Sequence, residues 1–414
     1  MARRKKYKDI TFKGSIDKES LDGYLKGIEN IIDEGKKDIS LDFNGVSGVK
    51  ADAMLRLCSF IMHAKDSLNV AFRLNMSSNI EIRKEMINNN WASLIDEEYP
   101  VSSFRGFLYT PTIIFTNEEE HQETVDRILE VIIEAYPDLE RTSFATIEWC
   151  LCEIMDNVIV HSRSKIGGLV QMKIHRNITK DIEMIVSDAG IGIPKSLKEI
   201  YPNEDEVNIL MESINQGITN GEGQGNGLFG TTEICRKTNG EFVIHSGKTR
   251  LTLIKDGKEA KPLNRNFTGT TISAKIRTSD SEVLHKALQF DGKVYEPTDY
   301  IELKYESNLA GNTHKYCINP RVDSVGTRLY GRTLRNKLLN IYDMSQDVEI
   351  IEIDFKLVNM VSSSFADELI SKTIEIRGVE FFNKHMRVVA CNDKIKGIIS
   401  NVIIQRNNIS ITFG

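Results

Sequence analysis

Three polar residues recur at helical spacing near the middle of the chain: Glu153, Asn157 and His161. They are four residues apart, so an α-helix places them along one stripe of its surface. An asparagine inside a helix is unfavourable and leaves an amide in need of a partner. Its amide oxygen suits Mg²⁺, and a carboxylate one turn away can activate a water or hydroxyl towards a γ-phosphate. Taken alone, the stripe fits a solvated helix face equally well.

Asp188 follows a predicted strand at residues 182–187 and precedes two glycines, Gly190 and Gly192. A carboxylate at the end of a strand can accept a hydrogen bond from the exocyclic amine of adenine. The glycines let the backbone pass close to the base, because they lack a side chain. An ordinary Asp-Gly turn is the alternative interpretation, and the Ile-Gly-Ile-Pro that follows argues against it.

A run of glycines precedes a predicted helix at residues 228–238. The run contains Gly223, Gly225 and Gly227, and Leu228 follows it. Backbone amides at the N-terminus of a helix form an anion site, which suits the phosphates of a nucleotide. The spacing also fits the dinucleotide-binding fingerprint. That motif requires a strand directly before it, and a long polar loop stands there instead.

In this order the motifs resemble those of the GHKL superfamily, which contains gyrase, heat-shock chaperones, histidine kinases and MutL. The likeness covers about residues 115–278 and includes Gly269-Thr270-Thr271 near its end. It implies an ATP site with Mg²⁺ held by Asn157, a catalytic base at Glu153, and a mobile lid at residues 195–222. The implied nucleotide contacts are Asn157, Asp188, Gly190, Gly192, Gly223, Gly225, Gly227, Leu228 and Thr271. The basic candidates for phosphate contacts are Arg163, Lys165 and Lys195.

The segment from Cys152 to His161 is closest to the anti-sigma-factor serine kinases within this superfamily. The chain is therefore interpreted as a signalling ATPase or protein-serine kinase whose nucleotide state controls docking of another domain or partner. A non-catalytic nucleotide-sensing module is the alternative. Histidine-kinase activity is disfavoured because no helical hairpin with an exposed His-Glu acceptor precedes the domain. A DNA-clamp ATPase is disfavoured because no transducer-like domain with a phosphate-sensing lysine is recognisable.

Residues 352–368 resemble the STAS-like fold of anti-sigma-factor antagonists, in the branch that reads Ser-Ser-Ser-Phe-Ala-Asp-Glu. The resemblance places a phosphoacceptor at Ser364, with Ser363 beside it, and the added charge would meet a helix N-terminus. Capping of that helix is the alternative role for these serines. Residues 40–53 follow the same pattern with Asp52 at the acceptor position, which predicts a degenerate STAS-like domain.

The elements that must position these residues form an α+β arrangement. Two amphipathic helices, at 118–136 and 142–161, lead into a series of strands, which predicts a sandwich with helices on one face of a mixed, mainly antiparallel sheet. The predicted strands are at 169–174, 182–187, 241–245, 250–254 and 270–276. Strand and helix alternate at both ends of the chain, as in small α/β domains. The predicted boundaries are an N-terminal α/β domain at 1–108, the GHKL domain at 109–279, a linker at 280–312 and a STAS-like domain at 313–414.

Composition restricts the class of protein further. Of the 414 residues, 40% are hydrophobic and 27% are charged, which suits roughly two or three globular domains. The net charge of −6 argues against a nucleic-acid partner. No apolar run predicts a membrane span or a secretory signal, and the six scattered cysteines fit reduced thiols, so we expect a cytoplasmic protein. The expected partners are ATP and either another protein or the STAS-like domain, and a homodimer is also considered.

Overall fold

The computed structural model describes residues 7–102, 110–136, 139–175, 178–221, 225–254, 257–290, 293–295, 312–318, 325–344 and 348–407. The chain divides into two units. One comprises residues 1–131 with 142–297, and the other comprises residues 132–141 with 298–414. The first unit therefore contains the three nucleotide-site motifs, and the second contains the serine-rich segment.

A layer of parallel strands and helices forms the N-terminal part of the first unit. Its elements are β1 (Lys8–Ile16), α1 (Leu21–Asp33), β2 (Asp38–Val49), α2 (Ala51–Leu68), β3 (Ala71–Asn75), α3 (Ile80–Asn88) and α4 (Trp91–Ile95). The strands lie in the order β1-β2-β3, and both pairings are parallel. Ile39, Leu41 and Phe43 alternate along β2 and are buried, as expected where one face of a strand meets a core.

A second sheet follows, and it is antiparallel. Its strands are β4 (Ile113–Phe115), β5 (Gly168–His175), β6 (Asp181–Asp188), β7 (Glu241–Ile254) and β8 (Gly257–Arg277). They lie in the order β4-β5-β6-β8-β7, and every pairing among the described residues is antiparallel. The intervening helices are α5 (Glu118–Ala135), α6 (Arg141–Asn157), α7 (Ile193–Ser196), α8 (Glu206–Glu212) and α9 (Gly227–Lys237). The predicted combination of helices with a mainly antiparallel sheet is confirmed.

The last two strands of this sheet are longer than the sequence pattern predicts. The strands expected at 241–245 and 250–254 are a single strand, β7, with irregular pairing near Gly247. β8 begins well before the expected residue 270, and its first part pairs with β7 alone among the described strands. Local alternation of polar and apolar residues fades in this part, so the pattern alone could not show that the strands continue.

Helix α2 packs on two sheets. Residues 53–61 are all buried, whereas helical spacing of apolar residues predicts a single buried face. The core that contains α2 also includes Leu169 of β5 and Ile185 of β6. The second buried face of α2 is therefore supplied by the antiparallel sheet, and the N-terminal layer and this sheet share one core.

Part of the predicted linker at 280–312 is regular structure. The described elements are α10 (Ser281–His285), β9 (Gln289–Phe290) and β10 (Lys293–Val294), of which the two strands pair with each other. The ring centroids of Phe290 and Tyr295 lie 6.0 and 6.5 Å from that of Trp149 on α6. Aromatic packing therefore holds the described part of this segment on the helices of the first unit. The domain boundaries themselves stay a prediction.

The second unit contains a smaller parallel sheet. Its strands, β11 (Thr313–Cys317), β12 (Ile350–Asp354) and β13 (Met386–Val389), lie in chain order. Its helices span Arg328–Met344, Ser363–Ala366, Lys372–Arg377, Val379–His385 and Asp393–Asn407, with a π-helical turn at Asp367–Ser371. Their apolar residues form a separate core around Ile351 and Ile353. Strand and helix alternate here as in the N-terminal layer, and the predicted small α/β domain at this end is confirmed.

The cysteines of the chain are all free thiols, and Cys58, Cys150 and Cys235 are buried. Burial raises the pKa of Cys235 to about 12, which is the behaviour of a core thiol and not of a nucleophile. Within the described ranges, every helix is too short or too polar to cross a membrane.

Candidate functional site

A cavity of about 560 Å³ lies between α6, the end of β6 and the start of α9. It brings together the three motifs that the sequence keeps apart. The predicted site residues that line it are Glu153, Asn157, Asp188, Gly192, Gly225, Gly227 and Leu228. His161 lines it as well, from the π-helical turn Val158–Ser162 that continues α6. Such wide turns occur frequently at functional sites.

Glu153 is the acidic group best placed for chemistry in this cavity. Burial raises its pKa to about 7, and the negative charge of Asp156 acts in the same direction. Gly227, the first residue of α9, lies directly beside it, because a Cβ at this glycine would be 2.4 Å from Glu153 Oε2. A carboxyl group with a pKa near 7 is about half ionised at neutral pH, which suits a general base.

Asp156 and His121 form a pair beside the polar stripe. His121 Nε2 lies 3.2 Å from Asp156 Oδ1. Burial raises the pKa of Asp156, and the His121 ring opposes that shift. His121 is only 7% exposed, so its surroundings differ from those of an exposed phosphoacceptor histidine.

The side-chain amide of Asn157 uses its nitrogen within the helix and leaves its oxygen available. Its Nδ2 donates to the backbone oxygen of Glu153 at 2.7 Å, which leaves the amide oxygen to accept from or coordinate a ligand. Across the part of the chain that the structure describes, no group of three or more His, Cys, Asp or Glu side chains is arranged to hold a metal. Mg²⁺ usually takes one or two protein ligands and completes its shell with water and phosphate oxygens. A single amide oxygen therefore fits Mg²⁺.

Asp188 lies at the end of β6 and is 3% exposed. Burial raises its pKa to about 7, while the backbone N–H groups of Gly190 and Thr270 oppose the shift. The Gly190 N–H donates to Asp188 Oδ1 at 2.7 Å. Gly190 is absent from the cavity wall; a Cβ there would lie 2.0 Å from the backbone oxygen of Ser162. A glycine at position 190 therefore lets the backbone next to Asp188 pass close to the backbone at Ser162.

Thr271 lies on the face of the sheet that is turned away from the cavity. It pairs with Ser187 across β8 and β6, and the two hydroxyl oxygens are 2.7 Å apart. Because side chains alternate along a strand, Thr270 faces the cavity instead. Thr270, and not Thr271, therefore lines the cavity, and the predicted nucleotide contact at Thr271 stays a prediction.

Gly225, Asn226 and Gly227 form the end of the cavity at the start of α9, where the sequence predicts phosphate contacts. The predicted contact at Gly223 lies outside the described residues. Within those residues the cavity wall contains no lysine or arginine, and so it includes none of the three basic candidates that the sequence suggested. Backbone amides at the start of α9, together with a cation when one is bound, suit the negative charge of a triphosphate.

The predicted lid at residues 195–222 covers one side of the cavity. Ser196, Ser213 and Thr219 are among its lining residues. Lys258 on β8 holds the lid from outside, because its Nζ donates to the backbone oxygen of Met211 at 2.7 Å. The long hairpin of β7 and β8 thus contacts the segment that must move if the lid opens.

An aromatic wall was missed by the sequence reasoning. Trp149, Phe290 and Tyr295 line the cavity. Trp149 precedes Glu153 by four residues, so extending the polar stripe by one turn would have found it. The other two belong to the segment predicted as a linker, and no pattern in the sequence connects them to the site.

The serine-rich segment of the second unit begins a helix. Ser362 caps it, because Ser362 Oγ accepts from the backbone N–H of Phe365 at 3.0 Å. The hydroxyls of Ser362 and Ser364 are 3.0 Å apart, whereas Ser363 is exposed. Capping, the alternative role for these serines, thus belongs to Ser362. The N-terminal counterpart Asp52 lies in the first turn of α2, where burial raises its pKa.

Comparisons with known proteins agree with this architecture. The family described as "Histidine kinase-, DNA gyrase B-, and HSP90-like ATPase" matches residues 145–279. The family described as "STAS-like domain of unknown function (DUF4325)" matches residues 330–396. No curated protein matches the chain.

The solved structures that match include the histidine kinase domain from Erythrobacter litoralis EL346 blue-light activated histidine kinase. It is 16% identical, and the match covers 36% of this chain and 50% of that chain with a TM-score of 0.18. The present chain thus spans half the length of that structure, and so low a TM-score supports no argument about fold or activity.

Residues 145–279 are a GHKL-type ATPase domain, of a class that binds ATP and includes ATPases and kinases. Residues 330–396 are a STAS-like domain. Both resemblances that the sequence motifs suggested for these segments are confirmed.

Proposed function

We propose that this protein binds ATP with Mg²⁺ and acts as a regulatory ATPase or protein-serine kinase. The position of Glu153 supports this most directly, because a carboxyl group with a pKa near 7 lies beside Gly227 and one turn from Asn157. The proposed base, the proposed metal ligand and the glycines proposed to bind phosphate all line one cavity. In this proposal the nucleotide state controls docking of the STAS-like domains or of a partner protein.

Each lining group has a role that follows from its chemistry. Asp188 accepts from the exocyclic amine of adenine, and the Asn157 oxygen would hold Mg²⁺. When bound, Mg²⁺ neutralises charge on the β- and γ-phosphate oxygens. Backbone amides at the start of α9 bind the phosphates. Glu153 takes the proton from the attacking water or hydroxyl, whose oxygen bonds to the γ-phosphorus as the bond to the leaving ADP oxygen breaks.

The acceptor is either water or a serine hydroxyl. Water gives hydrolysis, and a serine gives phosphotransfer with the same base. The exposed hydroxyl of Ser363 supports the second route, because the capping role is already filled by Ser362. Ser364, the acceptor expected from the resemblance, remains a candidate because its hydroxyl also plays no part in capping.

The test is incubation of the full chain with γ-labelled ATP and Mg²⁺, followed by measurement of released phosphate and mass mapping of modified serines. Glu153→Gln should lower turnover by roughly 10²- to 10⁴-fold and retain nucleotide binding. Asn157→Ala should weaken the Mg²⁺-dependent part of binding. Glu119→Gln, at an exposed carboxylate on α5, is the matched control and should behave as wild type. A protein that binds ATP but neither releases phosphate nor labels a serine would overturn the enzymatic proposal.

A non-catalytic nucleotide sensor is the second candidate. The cavity wall favours it in one respect, since its described residues include no lysine or arginine to stabilise charge on a transferring γ-phosphate. A sensor would bind ATP as tightly as the enzyme, and Glu153→Gln would then change neither binding nor the already negligible turnover. The same substitution therefore separates the two functions.

A further inference from the structure

Helix α2 of the N-terminal layer supplies a hydroxyl behind the cavity. Ser59 on α2 and Ser187 on β6 are 128 residues apart in sequence, yet their Oγ atoms are 3.0 Å apart. Ser187 Oγ in turn lies 2.7 Å from Thr271 Oγ1 on β8. Ser59 and Ser187 are fully buried and Thr271 is 1% exposed, so bulk water does not compete for these bonds.

The hydrogen-bond direction along these hydroxyls is determined by their surroundings. Ser59 Oγ donates its single hydrogen to the backbone oxygen of Arg56 at 3.1 Å. It must therefore accept from Ser187, and Ser187 must accept from Thr271. This direction makes every contact in the chain of hydroxyls a hydrogen bond. Removal of one member leaves a buried neighbour without its partner, which is costly in a dry interior.

The chain of hydroxyls joins the two strands that hold the Asp188 carboxylate. Ser187 directly precedes Asp188, and Thr271 directly follows Thr270, whose backbone N–H stabilises that carboxylate. Successive residues of a strand face opposite sides of a sheet. The hydroxyls therefore lie immediately behind the adenine end of the cavity.

A second set of contacts fixes α2 to the same strand. The guanidinium of Arg56 lies 4.8 Å from the ring centroid of Phe267 on β8 and 2.5 Å from a carboxylate oxygen of Asp22. Conversely, an arginine of β8 contacts an aromatic ring of α2, because the guanidinium of Arg265 lies 5.0 Å from the ring centroid of Phe60. Both arginines are buried, with 1% and 6% exposed. Breaking buried charged contacts of this kind is strongly destabilising, so α2 is a permanent part of the unit.

We infer that Ser59 is a positioning residue of the nucleotide site. Through Ser187 and Thr271 it fixes the spacing of β6 and β8, and so the alignment of Asp188 with Thr270. This inference rests on the proposed ATP binding. It adds that the N-terminal layer affects how tightly the site binds an adenine nucleotide, although no residue of α2 lines the cavity.

Calorimetric titration of the full chain with Mg-ADP and with tripolyphosphate tests the inference. Ser59→Ala should weaken Mg-ADP binding about five-fold, the effect of one lost buried hydrogen bond. Binding of tripolyphosphate, which has no adenine, should stay within about two-fold. Thr271→Val, which removes a hydroxyl at similar volume, should weaken Mg-ADP binding equally, and the double variant no more than either single change.

Ser273→Ala is the matched control, because it removes a hydroxyl from the same face of β8 two residues further along, outside the chain of hydroxyls. It should bind both ligands as wild type does. Unchanged Mg-ADP affinity in Ser59→Ala and Thr271→Val, or equal losses for Mg-ADP and tripolyphosphate, would overturn the positioning role. A wild-type protein that binds neither ligand would instead overturn the proposed ATP binding, and the inference with it.

Discussion

Replacing Asp188 with asparagine should change how stability depends on pH, by an amount set by the burial of this carboxyl group. In the unliganded protein burial raises the pKa of Asp188 from 3.8 to about 7. At about 1.36 kcal/mol per pKa unit, ionising the group costs the folded state about 4 kcal/mol relative to the unfolded chain. This is a large share of the stability of an ordinary domain.

The sign follows from proton uptake. The folded protein holds the Asp188 proton more tightly than the unfolded chain does, so its contribution to stability is fully present below pH 3.8 and is lost as the pH rises through about 7. Asparagine has the same shape and does not titrate. The free energy of unfolding of Asp188→Asn, relative to wild type, should therefore rise by up to about 4 kcal/mol between about pH 4 and about pH 8.

Urea denaturation followed by tryptophan fluorescence measures this difference. The two tryptophans of the chain, Trp91 and Trp149, both belong to the unit that contains Asp188, so their emission follows that unit. Both proteins are compared without nucleotide from about pH 4 to about pH 8.5. Parallel profiles would refute the strongly raised pKa. The same substitution should weaken ATP binding roughly 10- to 100-fold, because an amide nitrogen replaces one of the acceptor oxygens proposed to bind the adenine amine.

Gly227→Ala should lower turnover by at least about ten-fold, as measured by steady-state phosphate release. The reason is that the new Cβ would lie 2.4 Å from Glu153 Oε2 and displace the proposed base. Glu368→Gln should lower the free energy of unfolding of the second unit by about 2–4 kcal/mol, measured by urea denaturation followed by circular dichroism. The substitution removes the charge of Glu368 from a buried ion pair, in which Arg335 Nη1 lies 2.8 Å from the carboxylate and both side chains are 8% exposed. Ser362→Ala should cost about 1 kcal/mol in the same assay through loss of the helix cap.

Each of these predictions has a matched control. Gly23→Ala on α1, where a Cβ meets nothing within 4 Å, should leave turnover unchanged. Glu352→Gln removes a partner of Lys315, which is 46% exposed, and should cost less than about 1 kcal/mol. Ser363→Ala, at the exposed and non-capping serine, should be nearly neutral for stability. A control that changes as much as its test variant would contradict the mechanism assigned to the latter.

Much of the candidate site could be predicted because its chemistry is encoded locally. Spacing by four along a helix was enough to put Glu153 and Asn157 on one face, and a strand followed by glycines was enough to single out Asp188. The position of Thr271 behind the cavity wall has a non-local cause. Which of two adjacent threonines faces the cavity depends on the register between β6 and β8, and a shift of one residue reverses every side chain.

The fold, like the site, has features that a local pattern predicts and others that depend on residues distant in sequence. The alternation of helices and strands follows from apolar periodicity, and the mainly antiparallel character of the second sheet was predicted from two helices that lead into successive strands. The length of β7 and β8, the aromatic rings of Phe290 and Tyr295 in the cavity wall, and the second buried face of α2 follow from neither pattern. Each depends on a neighbour that is distant in sequence, which a local pattern cannot represent.

Residue type and spacing were sufficient to single out the candidate groups of the site: a carboxylate, an amide and a glycine run that together suit a nucleotide with Mg²⁺. The protonation of those groups and the residues that support them depend on folding. Burial raises the pKa of Glu153 and Asp188 to about 7, and the packing of α2 behind the sheet places Ser59 in the support of Asp188. The physical reason is that pKa values and strand register are set by contacts between residues far apart in the chain, whereas residue type and helical spacing are set by the chain itself.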